Sequence, residues 1–116
     1  MVSFGFVALR CVDLERTRGF YELLGLRFET EQHGAGPPHL ATDVGGVVVE
    51  LYPAPSADGC ADPLTIGLTA PDLDGIEQHL QAAGHHVERV DGGTTIAATD
   101  PDGRRVRISP SDRTPG

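Results

Sequence analysis

The chain has no lysine, no tryptophan and no asparagine, and all nine of its basic residues are arginine, set against 17 Asp+Glu. The formal net charge of −8 makes a field that repels polyphosphate, which argues against a nucleic-acid partner. The same field favours a cationic small molecule, and at the least it keeps the surface well solvated. Cysteine is limited to Cys11 and Cys60, whose separation fits no metal or redox spacing. Cys11, inside an apolar stretch, reads as a small buried hydrophobe. No run approaches the ~18 apolar residues that cross a bilayer, and no basic stretch leads into a signal-like apolar segment. A cytoplasmic protein without a membrane partner is therefore expected. Gly-x-Ser-x-Gly, a Cys-His pairing and a phosphate-cradling glycine loop are also missing.

What the chain does have is a repeat. Val7-Ala8-Leu9-Arg10-Cys11-Val12-Asp13-Leu14, closing on Leu24-Gly25, returns as Ile66-Gly67-Leu68-Thr69-Ala70-Pro71-Asp72-Leu73, closing on Ala83-Gly84. Asp13 maps to Asp72, Gly25 to Gly84 and Glu29 to Glu88 at one constant offset. A fixed period means one supersecondary unit used twice. The 116 residues make a single-domain length, with a first module at 4–53, a linker at 54–62, a second module at 63–110 and a tail at 111–116.

In each module an apolar run reads as a strand, and an Asp then caps a helix that a glycine stops. Leu14, Arg18, Tyr21 and Leu24 fall at helical spacing in the first, as do Leu73, Ile76, Leu80 and Ala83 in the second. Strands follow at 26–31, 39–43 and 47–52, then at 86–90, 94–98 and 105–109. Gly45-Gly46 and Gly92-Gly93 read as hairpin turns, and Asp100-Pro101-Asp102-Gly103 reads as a type I turn. The fold class is α+β: two tandem βαβββ modules whose curled mixed sheets surround a cup.

The motifs Val12-Asp13-Leu14-Glu15-Arg16, Phe20-Tyr21, Leu24-Gly25-Leu26, Val49-Glu50-Leu51, Asp72-Leu73-Asp74, Ala82-Ala83-Gly84 and Asp100-Pro101-Asp102-Gly103 resemble the vicinal oxygen chelate superfamily. That superfamily holds glyoxalase I, extradiol dioxygenases, fosfomycin-modifying enzymes and bleomycin-type resistance proteins. The resemblance spans nearly the whole chain and implies paired modules in a homodimer whose cups hold ligands. It also implies four functional positions, on the first and last strands of each module, which metal-dependent members fill with His, Glu or Gln. Here those positions fall on Phe6, Glu50, Thr65 and Arg107. Of these, Glu50 alone is a good metal ligand, and Arg107 would repel a cation.

The resemblance therefore implies a metal-independent binding protein with no cofactor, capturing an antibiotic or other aromatic or amphipathic small molecule. Phe6, His39, Glu50, Tyr52, Thr65 and Arg107 would line the cup, with Glu50 and Arg107 expected to pair. His39 is the best candidate among the five histidines for a ligand contact, whereas His85 and His86, adjacent in a strand, face opposite ways. His79 is placed on the wet side of its helix, and Phe28 in the core. No catalytic or metal-ligating residue is assigned. The alternative is an enzyme of the same superfamily, a lyase, isomerase or dioxygenase, using Glu50 as general base or metal ligand.

Overall fold

The computed structural model describes residues 1–54 and 64–111; Cys60 and most of the expected linker and tail lie outside the described residues. The chain divides into two compact units, Met1–Asp62 and Pro63–Gly116. Unit one runs β1 (Phe6–Cys11), α1 (Leu14–Leu23), β2 (Glu29–Glu31), β3 (His39–Val44) and β4 (Val47–Pro53). Unit two repeats the plan as β5 (Thr65–Ala70), α2 (Leu73–Ala82), β6 (Glu88–Val90), β7 (Thr95–Thr99) and β8 (Arg105–Pro110). Each unit holds one four-stranded mixed sheet, ordered β1-β4-β3-β2 and β5-β8-β7-β6. The first strand pairs parallel with the last, and the remaining pairs are antiparallel. This is the expected α+β pair of βαβββ modules.

The helices form where the sequence places them. Asp13 accepts a hydrogen bond from the Arg16 amide and Asp72 accepts one from the Gly75 amide, so each Asp satisfies a donor that the first helical turn leaves open. Gly25 and Gly84, at φ +106° and +90°, take the left-handed turn that ends each helix. Strand alternation then sorts the faces. In unit one Leu9, Cys11, Leu40 and Leu51 are buried with Thr17, Phe20 and Tyr21 of α1, and α1 lies against β4. In unit two Ile96, Ala98, Val106 and Ile108 are buried with Ile76 and Leu80 of α2. Burying each large aliphatic or aromatic side chain contributes roughly 1.5–3 kcal/mol.

An arginine ties each helix to its sheet. Arg18 of α1 donates to Glu22 on its own helix and to the carbonyl of Phe28 just ahead of β2. Arg89 of β6 donates to Glu77 and Asp74 on α2, and the hydrogen bonds to Glu77 and then Asp74 hold its guanidinium above its ordinary pKa. The Asp100 turn closes with the Gly103 amide donating to the Asp100 carbonyl at 3.0 Å. The Asp100 carboxylate also accepts from the amides of Asp102 and Arg104 and from the Arg104 guanidinium, and Asp100 and Arg104 are both buried.

Three boundaries differ from the sequence reading. β2 and β6 shrink to their last three residues, because Gly25 and Gly84 must first turn the chain out of the helix and back toward the sheet. The Gly92-Gly93 connection is a short 3-10 turn over Asp91–Gly93 in which Asp91 itself sits at φ +53°. Gly45-Gly46 is the expected tight hairpin, both residues having positive φ and the Gly46 amide donating to the Asp43 carboxylate.

Candidate functional site

The helix covers one face of the first sheet, and the chemistry lies on the other. Register fixes which side chains share that face: β1 and β4 align Phe6 with Val48, Ala8 with Glu50 and Arg10 with Tyr52. β3 aligns Ala41 with Glu50, and β2 aligns Glu31 with His39. Strand parity therefore puts Phe6, Arg10, Glu31, His39, Glu50 and Tyr52 together on the side away from α1.

Aromatic rings organise the middle of this face. His39 stacks on Tyr52 with centroids 4.3 Å apart and planes at 13°. The Arg10 guanidinium stands 5.7 Å from the Tyr52 centroid, within reach of its π face. The His33 ring, from the loop after β2, lies 5.2 Å from His39. The His39 side chain is only 1 % exposed, although it sits on the face opposite α1.

Carboxylates flank the stack. The His39 Nε2 atom is 3.4 Å from Glu50 Oε2 and 3.5 Å from Glu31 Oε1, and His33 Nε2 is 3.4 Å from the same Glu31 oxygen. The Glu50 side chain is 12 % exposed, so its charge is largely withdrawn from water and needs a counter-charge or hydrogen-bond donors. His39 Nδ1 lies 3.3 Å from the Pro37 carbonyl, and since a carbonyl can only accept, Nδ1 carries the proton. Nε2 has no hydrogen-bond partner. One donor atom from each of Glu31, His33, His39 and Glu50 lies within 4.8 Å of all the others.

Of the six residues expected to line a ligand site, Phe6, His39, Glu50 and Tyr52 share this one face in unit one. Phe6 is 62 % exposed there, whereas Phe28 is core. Thr65 and Arg107 belong to unit two, where Thr65 aligns with Arg105 and Gly67 with Arg107 on the face away from α2. Arg107 forms a close ion pair with Asp91. His79 is exposed on α2, as the sequence places it. Of the other histidines, His85 and His86 border a groove of about 210 Å³ in unit two with Glu88 and Arg105.

Glu31 and Arg10 are residues of this face that the sequence reading does not single out, and His33 is one that it ranks below His39. The signal that finds Glu31 is the hairpin itself: a loop through Gly34–Pro38 that joins strands at Glu31 and His39 makes those two residues a cross-strand pair on one face. The four superfamily positions and the five histidines, weighed one at a time, do not bring in the carboxylate that faces His39 across the hairpin.

Two βαβββ modules, each a four-stranded mixed sheet with a helix, define the fold class. The chain belongs to the Glyoxalase/Bleomycin resistance protein/Dioxygenase superfamily, whose family model matches residues 3–108. No curated protein matches the chain. Among solved structures, it is similar to the oxidase ChaP-H2 (TM-score 0.73, 19% identity, 97% of this chain and 96% of that one). It is similar also to TnmS3, an antibiotic binding protein from Streptomyces sp. CB03234 (0.71, 20%, 97% and 98%). A third is lactoylglutathione lyase from Agrobacterium tumefaciens (0.63, 20%, 94% and 93%). At these identities the likeness is one of fold. Among the described residues no helix is long and apolar enough to cross a membrane.

Proposed function

We propose that the chain is a small-molecule binding protein that captures an aromatic or amphipathic compound, such as an antibiotic, on the helix-free face of its first sheet. The observation that carries this reading is the exposed Phe6 ring on the same face as the half-buried Tyr52 and the nearly buried Glu50. A phenyl ring left in water on a sheet offers stacking area to a flat ligand, and a carboxylate held at fixed depth beside it orients a cationic or hydrogen-bonding group. The similarity in fold to an antibiotic binding protein supports capture. Thr65 and Arg107 belong to this proposal as ligand contacts, and so do a homodimer, which the superfamily resemblance implies, and a cytoplasmic location.

The test is a thermal-shift screen of an antibiotic and aromatic-metabolite library, followed by calorimetry on the hits. Saturating ligand raises the melting point by mass action, and Glu50→Ala weakens affinity while the far-ultraviolet circular dichroism stays unchanged. An unaltered dissociation constant in Glu50→Ala and Phe6→Ala together would remove the site from consideration.

A second reading, an enzyme with Glu50 as base or metal ligand, draws on one specific contact: the bare His39 Nε2 facing the Glu50 carboxylate. Turnover of a captured ligand, followed by mass spectrometry, separates the two readings.

A further inference from the structure

His39 presents a problem of electrostatics that the capture reading leaves unsolved. Its Nδ1 is engaged by the Pro37 carbonyl, so in the neutral ring Nε2 is a bare lone pair. That lone pair is buried and unpartnered, with two carboxylate oxygens 3.4 and 3.5 Å away. Three acceptors converging on one point repel one another unless something positive stands between them. A proton on Nε2 can serve one oxygen at a time, and both distances exceed the ~2.7–2.9 Å of a charge-assisted hydrogen bond.

We propose that Glu31, His33, His39 and Glu50 bind a divalent first-row transition-metal ion, with Zn²⁺ the best match. Bonds of about 2.1 Å to nitrogen and oxygen place tetrahedral ligands about 3.4 Å from one another; three of the four His–Glu separations are 3.4, 3.4 and 3.5 Å, and all four donor atoms lie within 4.8 Å of one another. Two imidazoles and two carboxylates are a donor set suited to Zn²⁺, Ni²⁺ or Fe²⁺ and ill suited to Ca²⁺ or Mg²⁺, which take oxygen. The hydrogen bond from Nδ1 to a backbone carbonyl is the outer contact that fixes the ring and tautomer of a metal-bound histidine. Three of the four ligands come from one hairpin and its loop, and the fourth, Glu50, comes from the adjoining strand. The set therefore lies wholly in unit one and uses only one of the four positions that the superfamily resemblance marks for metal. It departs from the sequence expectation of metal independence, and it stands whether the bound compound is captured or transformed.

Chelator-stripped, desalted protein titrated with ZnCl₂ by calorimetry, and with CoCl₂ by visible absorption, tests the site. The expected result is one equivalent per chain with micromolar or tighter affinity, and an intense visible band from low-coordinate Co²⁺. Glu31→Gln and His33→Ala, both at exposed positions, should each weaken binding by roughly tenfold or more while circular dichroism stays native. His39→Gln should abolish it, and His86→Ala, in unit two, should leave it unchanged. The absence of a saturable one-to-one isotherm overturns the proposal. So does wild-type affinity in both Glu31→Gln and His33→Ala, or a loss of binding in His86→Ala.

Discussion

His39 is a polar ring out of water on the face of a sheet that no helix covers. Tyr52 stacks on it and His33 lies near, and Glu31 and Glu50 offer it carboxylate oxygens at 3.5 and 3.4 Å. That Glu50, His39 and Tyr52 share one face was legible because each lies in a strand, where alternate side chains point the same way. Glu31 and His33 were not, because their role depends on which residue of β3 they face across a hairpin. A second residue-scale pair is Asp100 with Arg104, both buried and joined at 2.9 Å. Removing the carboxylate charge with Asp100→Asn leaves a buried guanidinium without full compensation, Asp102 remaining at 3.4 Å. Urea denaturation should show a loss of about 3 kcal/mol. A loss below about 1 kcal/mol would mean that the pair is relieved by solvent or by Asp102.

At the scale of elements, the two helices share a plan and differ at a glycine. Gly19 lies mid-helix in α1, exposed, and a Cβ there would meet nothing within 4 Å. Gly19→Ala should therefore stabilise the protein by about 0.8 kcal/mol, the propensity difference alone. Gly75 sits in the first turn of α2, where a Cβ would come within 2.3 Å of the Asp72 carboxylate that caps its amide at 2.9 Å. There the propensity gain meets the loss of a cap costing about 1 kcal/mol, and Gly75→Ala should change stability by little or lower it. Thermal melts of the two variants side by side check the contrast; equal stabilisation would show that Asp72 caps from another rotamer. Helix starts, helix stops and the Gly45-Gly46 turn were readable to within a residue or so, since cap and turn chemistry is local. The short β2 and β6 were not, because a strand ends where its neighbour stops pairing.

At the scale of the whole molecule, the repeat in the sequence becomes two units of matching sheet order, each with its helix on one face. The proposed homodimer is checked by sedimentation velocity, with twice the chain mass expected; a monomer across the micromolar range would dismiss it. The net charge of −8 should make capture of a cationic ligand salt-sensitive. Affinity should fall as ionic strength rises through the physiological range, where the screening length is about 8 Å, and a neutral ligand should show little dependence. A cationic ligand with salt-independent affinity would place its charge in a buried pair instead of in the general field.

The sequence by itself determined the repeated βαβββ plan, the capped helices, the superfamily and the carboxylate at Glu50. These rest on local chemistry and on periodicity, which one strand or helix expresses alone. Only the tertiary structure decided what Glu50 faces. Strand register and the return of one hairpin brought two imidazoles and a second carboxylate to it, and pairing across strands is a property that no single segment carries.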